Sequence, residues 1–141
     1  MIGVLVLSHY RLAEEFVTAL RHIVGETPHV RAIGLDPAST APEEMRTQID
    51  KAIREVDQGT GVLVLVDMFG GTPSNLSLAF LDEGRVEVVT GVNLPMLVKV
   101  ARQKEGTGIH ELAELARDYG RRNISVASDL LGNREPDKSA S

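Results

Sequence analysis

The chain has 141 residues, of which 43% are hydrophobic and 25% charged, a balance typical of one folded domain that excludes a chain disordered throughout. Lys and Arg number 15 and Asp and Glu 20, giving a net charge of −5, so the surface is expected to repel nucleic acid and anionic membranes. The sequence has no cysteine, which excludes disulfides, thiolate nucleophiles and cysteine-based metal sites.

No segment of the sequence has the features of a signal peptide or a membrane-spanning helix. The apolar run 1–7 has no basic residues before it and no small-residue cleavage site after it. The longest uncharged stretch, 68–81, has 14 residues and includes two Gly and a Pro, whereas a helix needs about 20 apolar residues to cross a bilayer. We therefore predict a cytoplasmic protein that neither inserts into a membrane nor binds nucleic acid.

The first half of the chain predicts two strand–helix units. The apolar run 2–7 predicts a strand buried on both faces, and apolar residues at helical spacing over 12–24 predict a helix. Residues 29–35 predict a second strand. The second helix, which reaches Val56, is expected to begin at a capping box that starts at Thr40.

The third strand–helix unit contains the clearest buried strand, at 61–66. Thr72 is expected to be the N-cap of the helix that follows, with Pro73 at its first position and its end near Leu81. Residues 85–90 predict a fourth strand, so strands and helices alternate along this half of the chain too.

Two helices and an edge strand are predicted to complete the fold. Residues 96–101 indicate a short helix, and 108–119 indicate a last helix that Gly120 would end. The alternation of apolar residues over 123–127 predicts an antiparallel edge strand. The polar residues 131–141 show no periodicity and are expected to form a disordered tail.

This alternation of strands and helices is typical of a doubly wound α/β sheet. We predict one domain, residues 1–130, with four parallel strands in the order 2-1-3-4 and the antiparallel strand at an edge. Ligands of such sheets bind beyond the carboxyl ends of the strands where the strand order reverses, here between the first and third strands. His9 follows the first of these strands and Asp67 the third, so their side chains are expected to meet.

Together, His9 and Asp67 predict a histidine nucleophile. One ring nitrogen can attack only if the other carries the proton, and a carboxylate that accepts a hydrogen bond from that proton fixes the tautomer and the orientation of the ring. The other three histidines, His22, His29 and His110, lie in predicted helices or at the start of a strand and are expected to be structural.

The Gly-rich loop after the third strand predicts a binding site for an anion beside the histidine. Its residues can turn successive backbone amides toward the crevice, and the helix that follows directs its positive end there. Two polar residues in the first turn could add side-chain donors. The predicted phosphate-binding residues are Gly70, Gly71, Thr72, Ser74 and Asn75.

Competing phosphate and cofactor motifs are missing from the sequence. No G-x-x-x-x-G-K-[ST] run is present, and Gly70-Gly71 is not the dinucleotide fingerprint. A receiver-type phospho-aspartate would need an acidic pair after the first strand to hold Mg²⁺, and Ser8-His9-Tyr10 stands there instead. The sequence therefore predicts neither a cofactor nor a metal.

Three segments resemble the enzyme IIA domain of the mannose family of the bacterial phosphoenolpyruvate:sugar phosphotransferase system. They are Ile2-Gly-Val-Leu-Val-Leu-Ser-His9, Gly61-Val-Leu-Val-Leu-Val-Asp-Met-Phe-Gly-Gly-Thr-Pro-Ser-Asn75 and Gly91-Val-Asn-Leu-Pro-Met96. The second and third motifs are long and, together with the spaced histidine, highly specific.

The resemblance implies a phosphotransferase that works as a phosphocarrier. His9 would accept a phosphoryl group on Nε2 from the histidine phosphocarrier protein and pass it to an enzyme IIB, for sugar uptake or regulation. Asp67 would orient the ring, and the loop 70–72 would bind the phosphoryl oxygens. The resemblance also implies a homodimer in which an antiparallel strand is often exchanged, and we place that strand at 123–127.

Two features depart from the family pattern. Tyr10 follows His9 where relatives usually have Gly, so we expect either an adjusted loop or a family conformation that does not need positive φ, with the phenol ring covering part of the site. The sequence ends about ten residues after the predicted domain, so we expect no fused IIB domain, which leaves the acceptor protein unidentified. The alternative is a non-catalytic, flavodoxin-like dimer that binds a phosphorylated metabolite or a partner protein in the same crevice.

Overall fold

The computed structural model describes residues 1–132, and its framework is a sheet of four parallel strands. The strands are β1 (Gly3–His9), β2 (Val30–Leu35), β3 (Val62–Val66) and β4 (Val86–Thr90). The helices are α1 (Leu12–Val24), α2 (Pro42–Val56), α3 (Thr72–Leu78), α4 (Leu94–Ala101), α5 (Ile109–Arg122) and α6 (Ala127–Leu130). The sheet order is β2-β1-β3-β4, which confirms the predicted α/β class and strand order. Residues 133–141, most of the predicted tail, lie outside the described residues.

Successive residues of β1 point into two hydrophobic cores on opposite faces of the sheet. Val4 and Val6 pack in the core formed with α1, α4 and α5, whereas Leu5 and Leu7 pack in the core formed with α2. All four side chains are 0% exposed. Burying each contributes about 1.5–3 kcal/mol, so the buried central strand needs the continuous apolar run seen in the sequence.

The N-caps of two helices each lie one residue away from the predicted capping residue. Ala41, not Thr40, is the N-cap of α2, and α2 starts at Pro42; Gly71, not Thr72, is the N-cap of α3. Neither N-cap makes a side-chain capping hydrogen bond. Proline restricts the residue before it to extended backbone, which is the conformation of an N-cap, and this places the start of α2.

The ends of two helices also differ from the prediction. α3 ends at Leu78, three residues before Leu81, and α5 continues to Arg122 instead of ending at Gly120. Gly120 is buried inside α5, where a Cβ would lie 2.8 Å from Cε of Met96. The side chain of Met96 on α4 therefore packs against Gly120, which does not terminate the helix.

The predicted antiparallel edge strand at 123–127 does not form in the single chain. Residues 124–126 adopt no regular secondary structure, and α6 begins at Ala127. The Ile124 N–H donates to the carbonyl oxygen of Arg121, which continues the helical turn of α5 instead of pairing with the sheet. Ile124 and Val126 remain 76% and 58% exposed, and β4 lies at one end of the strand order.

His29 is a buried histidine next to the first residue of β2. Its side chain is 7% exposed, and its Nε2 has no hydrogen-bond partner within residues 1–132. Burial lowers the pKa of His29, a hydrogen bond with the backbone of Ala101 opposes this change, and the positive charge of the N-terminus adds to the lowering. The net pKa of His29 is below its ordinary value.

The lowered pKa of His29 predicts a pH-dependent stability. The unfolded chain binds more protons than the folded one, so the contribution is fully present above about pH 6.5 and is lost as the pH falls through the folded pKa. Urea denaturation is expected to give a lower free energy of unfolding at about pH 5.5 than at about pH 7.5. His29→Gln should reduce this difference. An equal pH dependence in the two proteins would contradict the prediction.

Candidate functional site

His9 and Asp67 meet at the carboxyl edge of the sheet. His9 is the last residue of β1, and Asp67 directly follows β3, which pairs with β1 so that Leu7 lies opposite Val66. The strand order reverses at this pair of strands, where open α/β sheets bind their ligands. The topology therefore brings together two residues that are 58 positions apart in the sequence.

The carboxylate of Asp67 holds both the ring and the backbone of His9. Oδ2 lies 2.8 Å from Nδ1 of His9 and accepts a hydrogen bond from its backbone N–H at 3.0 Å. Oδ1 accepts from the backbone N–H of Met68 at 2.9 Å. Because an ionised carboxylate only accepts, Nδ1 carries the proton in the neutral ring, and Nε2 then has the lone pair.

The net shift in the pKa of Asp67 keeps this carboxylate ionised. Burial raises the pKa, but the hydrogen bonds from the backbone and ring of His9, together with that from Met68, outweigh burial and lower it below the ordinary value. The Asp67 side chain is 10% exposed, and that of His9 is 31% exposed. The site thus combines a largely buried acceptor with an accessible imidazole.

The Nε2 edge of His9 lies against Gly71, at the start of α3. A Cβ on Gly71 would be 2.5 Å from Cε1 and 2.8 Å from Nε2 of His9, so any larger residue would displace the ring. Gly71 has an extended backbone, whereas Gly70 has a φ of 91° that L-residues rarely adopt. One glycine provides space for the imidazole, and the other provides the turn.

The remaining residues of the predicted phosphate-binding set differ in exposure. Gly70 and Asn75 are exposed, and Thr72 is half-buried. Ser74 is completely buried, and its hydroxyl has no hydrogen-bond partner among the described residues. Of the five predicted residues, the structure places Gly71 against the ring of His9.

Tyr10 adopts the left-handed backbone that the sequence analysis did not expect. Its φ of 48° makes it the one residue other than glycine with positive φ within residues 1–132. The turn has therefore kept a conformation suited to glycine and has not adjusted to the tyrosine. The Tyr10 side chain is 56% exposed and leaves the imidazole of His9 accessible.

Relieving this strain is expected to stabilise the protein. The left-handed backbone of a tyrosine lowers the free energy of unfolding by on the order of 1 to 3 kcal/mol. A glycine instead makes the unfolded chain more flexible, which lowers the free energy of unfolding by about 0.5 to 1 kcal/mol. Tyr10→Gly should therefore raise the free energy of unfolding by about 1 kcal/mol, measured by urea denaturation. Tyr10→Val should lower it, because branched residues tolerate positive φ poorly. A Tyr10→Gly protein less stable than the parent would refute the assignment of strain.

Four exposed apolar residues follow His9 or Asp67 closely in the sequence, and sequence reasoning missed them as a group. Tyr10, Leu12, Met68 and Phe69 are 56%, 52%, 55% and 71% exposed. We call these four residues the apolar rim. The available signal was the run Asp67-Met-Phe-Gly, because a large apolar pair is unusual in a loop that must stay in water.

His9 lies outside the two described cavities. One cavity, of about 410 Å³, lies between β4 and α5, and another, of about 360 Å³, lies beside β2, α1 and α2. Neither is lined by His9 or Asp67. The imidazole of His9 is 31% exposed.

Within residues 1–132, no group of three or more His, Asp or Glu side chains is arranged to hold a metal ion. None of the helices in the same range is both long and apolar enough to cross a membrane.

Comparison with known proteins relates this geometry to one family. The EIIA-man family model, described as "PTS system fructose IIA component", matches residues 3–117. The "PTS system mannose-specific EIIAB component" of Escherichia coli (strain K12) is 31% identical over 127 residues, covering 89% of this chain and 39% of that protein. The "PTS system sorbose-specific EIIA component" of Lacticaseibacillus casei is 30% identical over 138 residues, covering 95% of this chain and 97% of that protein.

A solved structure gives the same relationship at the level of the fold. The PTS IIA protein associated with the fucose utilization operon of Streptococcus pneumoniae superposes with a TM-score of 0.78 at 30% identity, covering 91% of this chain and 95% of that one. The chain spans only about two-fifths of the mannose-specific relative but nearly all of the sorbose-specific one. With the family model matched over most of its length, the chain belongs to the EIIA-man family of phosphotransferase-system IIA components.

Proposed function

We propose that the chain is a phosphocarrier that accepts a phosphoryl group on Nε2 of His9 from the histidine phosphocarrier protein and passes it to an enzyme IIB in sugar uptake. The observation that carries this proposal is the arrangement of His9, with Nδ1 held by Asp67 and Nε2 free beside Gly71. We assign this activity to a domain of residues 1–130. Family membership supports it.

The proposed transfer needs no proton movement at the attacking atom. The lone pair of Nε2 attacks phosphorus, the P–N bond to the donor histidine breaks, and the donor imidazole leaves with that electron pair. The ring of His9 gains positive charge while Nδ1 keeps its proton, and the ionised Asp67 stabilises that charge at 2.8 Å. Asp67 therefore acts both by fixing the tautomer and by electrostatic stabilisation.

Five residues are proposed to hold the phosphoryl oxygens. The backbone amides of Gly70, Gly71 and Thr72 would donate hydrogen bonds, and Gly71 is already in contact with the attacking edge of the ring. Ser74 is included because its buried hydroxyl has no partner among residues 1–132, and Asn75 because its side chain is exposed in the first turn of α3. No metal or cofactor is required for this step.

The apolar rim favours a protein donor. A donor phosphohistidine must approach Nε2 of His9, so the donor's surface has to cover the residues around it. Phe69, at 71% exposed, and Met68 follow Asp67 directly and would be buried in that encounter. Apolar contacts of this kind provide affinity without a deep pocket.

Reconstitution tests the proposed function. The protein would be incubated with phosphoenolpyruvate, enzyme I and the histidine phosphocarrier protein. We expect one acid-labile phosphoryl group per chain, and its loss when the carrier protein is left out. A chain that stays unmodified would favour the non-catalytic, flavodoxin-like alternative, which family membership does not favour.

We further propose that two copies form a homodimer through the outer edge of β4 beyond Val86, which bonds to Asp82. The cavity of about 410 Å³ runs along Val88 to Gly91 and α5, and the exposed Ile124 is among its lining residues. An unpaired strand edge is a liability unless it is covered. Residues 123–127 of a second copy would pair with this edge as an antiparallel strand.

The proposed dimer predicts the effect of two truncations. Deleting residues 123–141 should give monomers or aggregates, because the segment that covers β4 is lost. Deleting only 133–141 should leave the dimer intact and serves as the control. Sedimentation of the parent protein as a monomer at micromolar concentration would refute the dimer.

A further inference from the structure

Ser8, the residue before His9, is completely buried. Its hydroxyl makes hydrogen bonds to backbone groups in the turn that follows β1 and in α1. Its Oγ accepts a hydrogen bond from the backbone N–H of Ala13, in the first turn of α1, at 2.7 Å. The hydroxyl hydrogen faces the carbonyl oxygens of His9 and Tyr10, at 3.1 and 3.4 Å. One side chain thus links the end of β1, the turn and the start of α1.

The turn that Ser8 links is the strained one. Tyr10 has a φ of 48°, and its backbone N–H donates to the carbonyl oxygen of Leu35 at 2.8 Å. Its carbonyl oxygen fits against Gly34 of β2, where a Cβ would lie only 1.7 Å away. A left-handed tyrosine persists only where its surroundings hold it, and the Ser8 hydroxyl is the side-chain donor facing its carbonyl.

From these contacts we infer that Ser8 is a positioning residue for His9. The backbone N–H of His9 is held by Asp67, and its carbonyl oxygen is held by Ser8. With both main-chain groups fixed, the Cα–Cβ bond directs the ring so that Nδ1 meets Asp67 and Nε2 meets Gly71. The inference rests on the proposed function for its effect on rate, whereas its effect on ring geometry can be measured without any transfer.

Ser8→Ala and Ser8→Cys test the inference, because each removes the strong hydrogen bonds of the hydroxyl and the cysteine keeps a similar volume. Ser77→Ala is the matched control: Ser77 is also completely buried, and its hydroxyl bonds to a carbonyl of its own helix. The first readout is the ¹⁵N shifts of the His9 ring in the unmodified protein at about pH 8. The second is the rate of His9 phosphorylation against donor concentration.

We expect the ring of His9 to be held as the Nδ1–H tautomer in the parent and in Ser77→Ala, and to become a mixture of tautomers in both Ser8 variants. The rate at saturating donor should fall by about tenfold to a hundredfold, because small displacements of a reacting group are costly. The donor concentration for half-saturation should change by less than about twofold, since Ser8 is not on the surface.

A Ser8 variant that keeps both the ring tautomer and the saturated rate of the parent would overturn the inference. Failure of both variants to fold would also overturn it, because the hydroxyl would then serve the fold and not His9. If the parent itself takes up no phosphoryl group, the proposed function fails, and the ¹⁵N readout alone decides the role of Ser8.

Discussion

Replacing His9 by glutamine is expected to abolish acid-labile phosphorylation of the chain. Glutamine retains polar atoms at the end of β1 but has no ring nitrogen with a free lone pair and an opposite N–H. In the structure, Nδ1 of His9 is bound to Asp67 and Nε2 faces the start of α3, an arrangement that gives this histidine one free nucleophilic atom. The other three histidines differ: Nδ1 of His22 bonds to a backbone carbonyl oxygen, His29 is buried, and His110 is paired through Nε2.

His110→Gln is the control for this experiment. His110 is exposed on α5, where its Nε2 lies 2.8 Å from Oε1 of Glu114. The ring nitrogen that would correspond to the free Nε2 of His9 is therefore already paired. Phosphorylation of His110→Gln should match that of the parent. Peptide mapping should place the phosphoryl group of the parent on His9 alone. A label on His22, His29, His110 or Asp67 would exclude His9 as the sole acceptor.

Asp67→Asn is expected to slow phosphoryl transfer by about a hundredfold to ten-thousandfold, by comparison with the loss of an orienting carboxylate in hydrolase triads. The two oxygens of Asp67 accept three N–H groups: the ring and backbone N–H of His9 and the backbone N–H of Met68. An asparagine amide has one acceptor oxygen, so its NH₂ group would face at least one of these donors. If it faces Nδ1, the ring favours the tautomer whose proton lies on Nε2.

Asp57→Asn is a matched control for the loss of a carboxylate. Asp57 lies at the opposite end of β3, where its Oδ1 accepts from the backbone N–H of Gly59 at 2.8 Å and of Gly61 at 3.3 Å. It therefore has a comparable structural role away from His9, and its substitution should leave the transfer rate unchanged. Single-turnover transfer from the phosphorylated carrier measures both variants. If a folded Asp67→Asn protein transfers the phosphoryl group as fast as the parent, Asp67 serves only the turn after β3.

The two substitutions also separate chemistry from binding. His9→Gln removes the acceptor atom but leaves the apolar rim, so binding of the carrier protein should persist. Asp67→Asn should act on the rate at saturating donor, because the Asp67 side chain is 10% exposed and offers little surface to a partner. A large rise in the donor concentration for half-saturation would instead assign Asp67 to the docking surface.

The sequence by itself determined the strands and their order. β1 and β3 are buried on both faces, and only uninterrupted apolar residues satisfy that environment, so the runs 2–7 and 61–66 were recognisable without a structure. The alternation with helices then predicted the order 2-1-3-4, which brings the ends of β1 and β3 together. The pairing of His9 with Asp67 followed from that topology, although 58 positions separate them.

The local sequence pattern did not predict the structure correctly at Gly120 or at residues 123–127. Glycine ends many helices, but Gly120 lies inside α5 because Met96 packs against it. A short alternation of apolar and polar residues predicts a strand, but the Ile124 N–H bonds to Arg121 at the end of α5, and 123–127 pairs with no strand within residues 1–132. For Gly120 the contact lies 24 positions away in the sequence, at Met96, whereas for 123–127 the helical turn of α5 continues instead.

The detailed geometry of the site was decided by the tertiary structure alone. The sharing of Asp67 between ring and backbone, the contact of Gly71 with Nε2, and the left-handed Tyr10 held by Ser8 depend on distances between separate elements of the sheet. Periodicity and composition report which face of an element is buried, because burial repeats along the chain. They carry no information on which atoms meet across the sheet edge, because that depends on register and backbone twist set by the packed core.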